Sequence, residues 1–308
     1  MGAIIATLPR LPDNAATITT KEIDPMPMTS HYYRALGPHG FHRVHYTEWG
    51  DPDNPKVLIC VHGLTRTARD FDFLAAALER EYRVICPDVV GRGKSDWLDD
   101  KSDYTYPLYV NDMAMLLARI DAERIDWVGT SMGGLIGMFL ASYAGTPIHK
   151  LVVNDVGPRI PAAGLKRVAD YVGQVIAYDS FEALDRALRV YAATFGKLTE
   201  EQWRHMLVHS SRQLEDGRYT TGYDPGIADN FKTMELKDID LWPVWDAVRC
   251  PTLVLRGVYS DVLDHPDAVA MTERGPKAKL VEFPGMGHAP ALMADDQIAV
   301  VRDWLLAD

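Results

Sequence analysis

The segment from Ile125 to Gly134, which reads Ile-Asp-Trp-Val-Gly-Thr-Ser-Met-Gly-Gly, constrains the fold of this chain more than any other. A short apolar run, typical of a buried strand, leads into Gly-x-Ser-x-Gly-Gly, and small and apolar residues in helical spacing follow. Glycines on either side of Ser131 lack the Cβ atoms that would clash in a sharp strand-to-helix turn, where we expect the serine to adopt a strained backbone conformation. The following helix would direct free N–H groups at Ser131. Taken alone, these residues predict a nucleophile at the top of a sheet or, as the alternative, a glycine-rich turn with a capping serine.

Other apolar runs of strand length alternate with helical patterns along most of the chain. The runs are continuous rather than alternating in polarity, which is typical of parallel strands that are covered on both faces. The repeated strand–helix order predicts an α/β fold with a doubly wound, mostly parallel sheet, and residues 42–49 fit an antiparallel strand at its start. The other strands are predicted at residues 57–61, 83–88, 125–130, 151–154, 252–257 and 279–283.

The strand pattern stops between about residues 158 and 243. This stretch reads as helical and is rich in aromatic residues, and the strand–helix alternation resumes at Thr252. We therefore predict an α/β core of residues 31–157 and 244–308 that carries a helical cap inserted at residues 158–243. Residues 1–30 are predicted to form an irregular extension.

The composition is ordinary for a globular protein and argues against two classes of partner. With 308 residues, a formal net charge of −11 and no basic run, the chain is unsuited to binding nucleic acid. No apolar stretch is long enough to span a membrane, and residues 1–8 lack leading positive charges and make a poor secretory signal. The odd number of cysteines predicts buried free thiols in a reducing compartment, so we expect a cytoplasmic protein. The sequence leaves open whether the chain forms a homo-oligomer.

A serine hydroxyl needs a base to accept its proton and an acid to orient that base. The candidate base is His288, in a glycine-rich loop after the predicted strand that ends at Phe283. The candidate acid is Asp261, which also follows a strand and gives the order Ser, Asp, His that is expected along the chain for such a sheet. Asp155, directly after the strand at residues 151–154, is the alternative acid.

An oxyanion that develops on the substrate would need two backbone N–H donors converging on one point. One donor is expected from Met132, the residue after the nucleophile. The other is expected from Leu64, in the turn His62-Gly63-Leu64 that follows an apolar strand. The amide is the group at work, so the identity of either side chain matters little.

Taken together, these segments resemble an α/β-hydrolase with a helical cap, the group that includes esterases, meta-cleavage-product hydrolases and cofactor-free perhydrolases. The resemblance covers nearly the whole chain from about residue 42 to residue 305 outside the cap. It implies that Ser131, Asp261 and His288 form a catalytic triad and that the amides of Leu64 and Met132 form the oxyanion hole. The motifs that carry the resemblance are His62-Gly63-Leu64, the segment from Asp88 to Asp96, the segment from Gly129 to Gly134, the Asp261 loop and Gly287-His288.

Two features narrow the resemblance and the expected activity. The sharp strand-to-helix turn holds serine, Ser131, at the position where haloalkane dehalogenases and epoxide hydrolases have aspartate. After His62-Gly63 the chain continues with Leu64-Thr65-Arg66-Thr67 and lacks the Gly-Gly-Pro-Gly type of loop that many meta-cleavage-product hydrolases have. We therefore expect a serine hydrolase that cleaves a small to medium carboxylic ester through an acyl-enzyme. Carbon–carbon bond hydrolysis of a vinylogous diketone and a ligand-binding role without turnover are the alternatives.

Two further motifs are weaker than they first look. The segment Gly91-Arg92-Gly93-Lys94-Ser95 resembles the end of a phosphate-binding loop, but the first glycine that such a loop requires would fall at Asp88. His205 and His209 lie four residues apart on a predicted helix, as two metal ligands can, yet the sequence reveals no third ligand. We therefore expect neither a cofactor nor a metal.

Overall fold

The computed structural model describes residues 28–174, 176–233 and 235–307. Within these residues, one sheet contains eight strands: β1 (Thr29–Gly37), β2 (Gly40–Trp49), β3 (Val57–Val61), β4 (Arg83–Pro87), β5 (Ile125–Thr130), β6 (Ile148–Asn154), β7 (Thr252–Gly257) and β8 (Lys279–Phe283).

The strands are arranged in the order β1-β2-β4-β3-β5-β6-β7-β8. Strand β2 pairs antiparallel with both β1 and β4, and every other pair of neighbours is parallel. The strand that leads to Ser131, β5, therefore lies at the middle of the sheet between β3 and β6. The prediction of a doubly wound, mostly parallel α/β sheet is confirmed.

Helices cover both faces of the sheet. Along β3, Val57, Ile59 and Val61 pack against helices on one face of the sheet, whereas Leu58 and Cys60 pack against helices on the other face. Because β3 is buried on both faces, it reads as a continuous apolar run in the sequence. The helices are α1 (Asp72–Leu78), α2 (Tyr106–Ile120), α3 (Met132–Ser142), α4 (Ala162–Tyr171), α5 (Phe181–Tyr191), α6 (Glu200–Ser210), α7 (Asp229–Thr233), α8 (Trp242–Ala247), α9 (His265–Glu273) and α10 (Asp295–Leu306).

Residues 158–243, which we call the inserted segment, begin shortly after β6, end in the first turn of α8 and contain α4, α5, α6 and α7. Where the segment leaves and rejoins the core, Arg159–Ile160 pairs antiparallel with Ile239–Asp240. A second short pair, Ser211–Gln213 with Tyr219–Thr221, forms a hairpin after α6. Neither pair is apparent in the sequence pattern, because strands of two or three residues are too short to show a period.

The N-terminal hairpin was only partly predicted. The predicted irregular extension over residues 1–30 falls outside the described residues as far as residue 27. From Thr29 the chain already forms β1, which pairs along its whole length with β2. The sequence did not reveal β1 because Tyr33 and Ala35 are its buried residues and the rest are polar or exposed.

The structure bears on the expectations about membrane-spanning segments and cysteines. Among the described residues, no helix combines the length and the apolar character that crossing a bilayer requires. Cys60, Cys86 and Cys250, all within the described ranges, are free thiols. The first two are buried between the sheet and its helices, as predicted, whereas Cys250 is only partly buried.

Candidate active site

Ser131 lies at the sharp turn between β5 and α3, as the glycine spacing predicted. Its backbone has φ 52° and ψ −115°, a strained conformation for a residue with a side chain. A Cβ atom on Gly129 would lie 2.2 Å from the carbonyl oxygen of Gly133, and one on Gly133 would lie 2.0 Å from the carbonyl oxygen of Val61. Both positions therefore require glycine if the turn is to pack this closely against the sheet.

A chain of two hydrogen bonds joins Ser131 to a buried carboxylate. The Oγ atom of Ser131 lies 2.9 Å from Nε2 of His288, and Nδ1 of His288 lies 2.8 Å from Oδ2 of Asp155. Since a carboxylate oxygen only accepts, Nδ1–H of His288 is the donor to Asp155 and Nε2 is free to accept the serine proton. The order serine, imidazole, carboxylate is the arrangement that activates a serine as a nucleophile.

Asp155 directly follows β6 and is fully buried. Its Oδ1 atom accepts the N–H of Gly257 at 2.7 Å, and its Oδ2 atom accepts the hydroxyl of Ser260 at 2.6 Å in addition to His288. The backbone at Asp155 has φ 57°, in the left-handed region that aspartate tolerates better than most residues. The hydrogen bonds from Gly257 and Ser260 therefore fix the position of the carboxylate that accepts Nδ1–H of His288.

The prediction that placed Asp261 beside His288 is wrong. The Asp261 side chain is 45% exposed and forms a two-point ion pair with Arg167 of α4, through Nε and Nη2 of the arginine. The physical reason lies one residue earlier, where Ser260 accepts the N–H groups of Val262 and Leu263 and turns its own hydroxyl onto Asp155. This tight turn directs Ser260 into the site and Asp261 out of it.

Asn154 is a residue of this site that sequence reasoning missed. Its carbonyl oxygen accepts the N–H of Ser131 at 2.9 Å, and its buried side-chain amide donates to Oγ1 of Thr130 at 3.0 Å and to the carbonyl oxygen of Pro290 at 2.8 Å. It thus connects the serine turn to the loop that carries His288. The available signal was a polar amide directly after the apolar residues 151–153.

The two predicted amide donors both border the cavity above Ser131. Among the described residues, neither the Leu64 N–H nor the Met132 N–H donates a hydrogen bond to a protein group, so both are available to a ligand. The carbonyl oxygen of Leu64 accepts Nε of Arg92 at 2.7 Å. Arg92 is fully buried, and its Nη1 also donates to the hydroxyl of Tyr109 at 3.1 Å. The arginine therefore fixes the turn that presents the Leu64 amide.

His62 supports the same turn as a neutral imidazole. Its Nε2 accepts the N–H of Val89 at 2.9 Å, so the ring proton must sit on Nδ1, which lies 2.7 Å from the carbonyl oxygen of Gly63. Burial lowers the pKa of His62 to about 4. Protonation would break the bond from Val89, so the turn depends on an uncharged histidine.

The segment Gly91 to Ser95 serves as a structural turn built around a carboxylate. Asp88 Oδ2 accepts the N–H of Lys94 at 3.0 Å and faces Nδ1 of His45 at 2.7 Å, while its Oδ1 accepts the N–H of Ala68 at 2.7 Å. The N–H of Lys94 therefore donates to a carboxylate of the protein itself.

The structure reveals a carboxylate beside the two helical histidines. Ligand atoms of Asp72, His205 and His209 lie within 4.8 Å of one another. Arg69 already pairs with the Asp72 carboxylate, and Nε2 of His205 lies 2.8 Å from the carbonyl oxygen of Arg69. Burial, followed by the nearby Arg69 charge, lowers the pKa of His209 to about 4. The guanidinium of Arg69 is therefore the cation that pairs with Asp72. The contact between His205 and Arg69 joins α6 to the core.

A cavity of about 370 Å³ lies over Ser131 and His288, between the sheet and the inserted segment. Its volume falls within the range of small-molecule sites. The lining is largely apolar, and its polar part includes the ion pair of Arg66 and Asp70. The inserted segment contributes Leu165, Val168, Phe195, Met206, Ile227 and Phe231, and the polar side chains include Arg66, Asp70, Tyr171 and Tyr191.

Comparisons with known proteins agree with this architecture. A model of the alpha/beta hydrolase family matches residues 58–302. The 3-hydroxybutyrate-oligomer hydrolase of Cupriavidus necator is 43% identical over 281 residues, which is 89% of this chain and 96% of that protein.

Two solved structures are similar over nearly their full length. A putative hydrolase from Rickettsia typhi has a TM-score of 0.85 and 33% identity, covering 91% of this chain and 99% of its own. An alpha/beta hydrolase from Novosphingobium aromaticivorans has a TM-score of 0.80 and 36% identity, covering 90% of this chain and 98% of its own. With the strained serine turn and the parallel sheet beneath it, these matches establish that the chain belongs to the α/β-hydrolase family and is a hydrolase.

Proposed function

We propose that this protein hydrolyses carboxylic esters through a serine acyl-enzyme, with Ser131 as nucleophile, His288 as general base and acid, and Asp155 as the residue that orients His288. The observation that carries the proposal is the hydrogen-bonded chain from Ser131 Oγ through His288 to the buried Asp155 carboxylate. Asp261, the acid that the sequence favoured, has no part in this assignment because its carboxylate is paired with Arg167.

In the first half of the reaction, Ser131 Oγ attacks the ester carbonyl carbon while Nε2 of His288 takes the hydroxyl proton. The carbonyl oxygen becomes an oxyanion, and the free amides of Leu64 and Met132 are the donors that would stabilise it. The tetrahedral intermediate then collapses. The bond to the alcohol oxygen breaks, His288 returns its proton to that oxygen, and the acyl group remains on Ser131.

In the second half, water replaces the alcohol. His288 accepts a proton from the water as its oxygen attacks the acyl carbonyl, and the proton returns to Ser131 as the bond to the enzyme breaks. One water is consumed, and one alcohol and one carboxylic acid are released. Asp155 stays ionised throughout and stabilises the imidazolium that forms twice in each cycle.

The substrate class that we propose is a short ester chain of a small hydroxy acid. The support is the 43% identity with a protein named as a hydrolase of 3-hydroxybutyrate oligomers, over nearly all of both chains. An apolar cavity with a polar part suits such a molecule, which alternates small alkyl groups with ester carbonyls. We further propose that the inserted segment acts as the cap that shapes this cavity, since many of the apolar lining residues belong to it.

Labelling with a fluorophosphonate tests the assignment of the nucleophile. The probe should attach to Ser131, as located by peptide mass spectrometry, and the Ser131→Ala variant should neither label nor hydrolyse the 3-hydroxybutyrate dimer. Measuring hydrolysis of a ring-fission diketone beside that of the esters distinguishes ester hydrolysis from the alternative, carbon–carbon bond hydrolysis. Faster turnover of the diketone than of any ester, or an unlabelled Ser131, would exclude the proposal.

A further inference from the structure

Arg66 occupies an unusual position for a cation in a largely apolar cavity. A Cβ atom on Gly63 would lie 3.7 Å from Cγ of Arg66 and 3.7 Å from Cβ of Ser131, so the side chains of Arg66 and Ser131 both lie beside Gly63. Arg66 borders the active-site cavity and is only 7% exposed. A buried cation of this kind is retained in proteins when it has a partner or a ligand.

The partner that the structure gives Arg66 uses one edge of the guanidinium. Nε donates to Oδ2 of Asp70 at 2.7 Å, and Nη2 donates to Oδ1 of Asp70 at 2.6 Å. Among the described residues, Nη1 donates no hydrogen bond. The edge formed by Nη1 and Nη2 therefore remains open, and this planar fork is the one that matches a carboxylate in a two-point contact.

The surroundings of Arg66 extend this polar part of the cavity. Tyr171 and Tyr191 border the same cavity, with their rings 4.9 Å apart at the centroids. A second cavity of about 180 Å³ shares Thr65, Arg66, Tyr171 and Tyr191 with the first. Arg66 thus borders both cavities, and the first of them also contains Ser131.

We infer that the open edge of Arg66 binds the free terminal carboxylate of the substrate. This inference rests on the proposed function. In an oligomer of a 3-hydroxy acid, the terminal carboxylate and the nearest ester carbonyl are separated by two chain carbons and the ester oxygen. A carboxylate held at Arg66 brings that ester to Ser131, so the enzyme releases hydroxy acid units one at a time from the carboxyl end.

The step that follows is balanced with water alone. The bond that breaks joins the ester carbonyl carbon to the alcohol oxygen of the terminal unit, and His288 protonates that oxygen. The terminal unit leaves as a free hydroxy acid, still bound through its carboxylate to Arg66. The remainder of the chain stays on Ser131 until water releases it as an oligomer one unit shorter.

Asp70 orients the guanidinium of Arg66 without occupying the edge that would bind the substrate. By pairing with Nε and Nη2 it fixes the plane of the guanidinium, so the open edge loses little freedom when it binds a ligand. A methyl ester in the same position offers one neutral carbonyl acceptor in place of two charged carboxylate oxygens, so it would pair less well with the two N–H groups of that edge. The site therefore discriminates against substrates whose carboxyl end is blocked.

The experiment compares the 3-hydroxybutyrate dimer with its methyl ester, using kcat/KM for cleavage of the internal ester in both. The wild type should prefer the free acid, and Arg66→Gln should reduce the ratio of free acid to methyl ester by about tenfold to a hundredfold. Arg66→Lys, which keeps the charge and loses the fork, should fall between the two. Arg69→Gln is the matched control, because Arg69 pairs with Asp72 on the same segment and does not border the cavity. Its ratio should equal that of the wild type.

A readout independent of turnover guards against misfolded variants. The monomer 3-hydroxybutyrate should slow fluorophosphonate labelling of Ser131 in the wild type and in Arg69→Gln, at concentrations that leave Arg66→Gln unprotected. A ratio that survives Arg66→Gln in a protein that still labels overturns the inference and leaves the proposed function intact. A wild type that cleaves neither compound and does not label overturns both.

Discussion

A hydrogen bond of 2.8 Å joins Oδ2 of Asp155 to Nδ1 of His288, and it does so at a point where the aspartate is fully buried. The same carboxylate accepts Ser260 Oγ at 2.6 Å and the N–H of Gly257 at 2.7 Å. These contacts hold the imidazole with its Nε2 toward Ser131.

Asn154 should contribute to both stability and labelling of the nucleophile. Replacing it with alanine removes the two hydrogen bonds from its buried amide to Thr130 and Pro290, and we expect a loss of about 1–3 kcal/mol in the free energy of unfolding. The loop that carries His288 would loosen, so fluorophosphonate labelling should slow. Urea denaturation and labelling kinetics measure the two effects.

Asn111→Ala is the matched control for that substitution. Its amide donates to the carbonyl oxygen of Leu36 at an exposed position, 2.9 Å away. The expected loss is less than about 0.5 kcal/mol, with no change in labelling. Equal effects of the two alanine substitutions would count against a linking role for Asn154.

Arg92 should act on the rate more than on substrate binding. Arg92→Met keeps the bulk of the side chain but releases the carbonyl oxygen of Leu64, which Nε now holds at 2.7 Å. The Leu64 amide would lose its fixed direction, and we expect kcat on a simple ester to fall by about tenfold or more while KM changes little. Steady-state kinetics on a p-nitrophenyl ester give both constants. A variant with lower affinity and unchanged kcat would show that Arg92 serves binding instead.

His62 should make the protein sensitive to mild acid. Burial lowers its pKa to about 4, against about 6.5 in an unfolded chain. Between these two values the unfolded chain binds more protons than the folded one, so stability falls as the pH falls from about 6.5 toward 4. The full loss amounts to about 3 kcal/mol. Urea unfolding at several pH values should show this slope.

The variant His62→Gln isolates that contribution, because glutamine has an acceptor for the N–H of Val89 and does not titrate in this range. Its free energy of unfolding should depend less on pH between 6.5 and 4 than that of the wild type. The pH dependence of unfolding in His209→Gln provides a comparison. The pKa of His209 is also lowered to about 4, although its side chain is less deeply buried than that of His62. A pH slope in His62→Gln identical to the wild type would contradict the assignment.

The parts of the fold that the sequence predicted well are those in which local pattern and tertiary burial agree. Strand β3 is buried on both faces, so its five apolar residues marked it directly. The serine turn was recognisable because close packing requires glycine at 129 and 133. Strand β1 escaped notice because it is mostly exposed and has little apolar content.

The choice between two acids could not be made from the chain alone. Asp155 and Asp261 follow strands β6 and β7, which are neighbours in the sheet, so both carboxylates are brought to the same edge. The decision comes from Ser260, whose hydroxyl closes a turn onto Asp155 and sends Asp261 toward Arg167. Such a turn depends on contacts made between strands, which spacing does not encode.

Buried arginines were missed for a related reason. Arg66 and Arg92 lie in polar stretches that read as exposed loops, yet both side chains are almost inaccessible to solvent. Their acceptors are Asp70 for Arg66 and the carbonyl oxygens of Leu64 and Val90 for Arg92. Backbone acceptors in particular leave no trace in a sequence.

The pair of variants Asp155→Asn and Asp261→Asn tests the central claim most directly, through kcat/KM for an ester that the wild type cleaves. Asparagine at 155 cannot stabilise the imidazolium and favours the wrong tautomer of His288, so we expect a loss of about 10⁴-fold in kcat/KM. Asparagine at 261 removes an exposed ion pair to Arg167 and should change kcat/KM by less than about threefold. The reverse result, with Asp261→Asn inactive and Asp155→Asn active, would contradict the account.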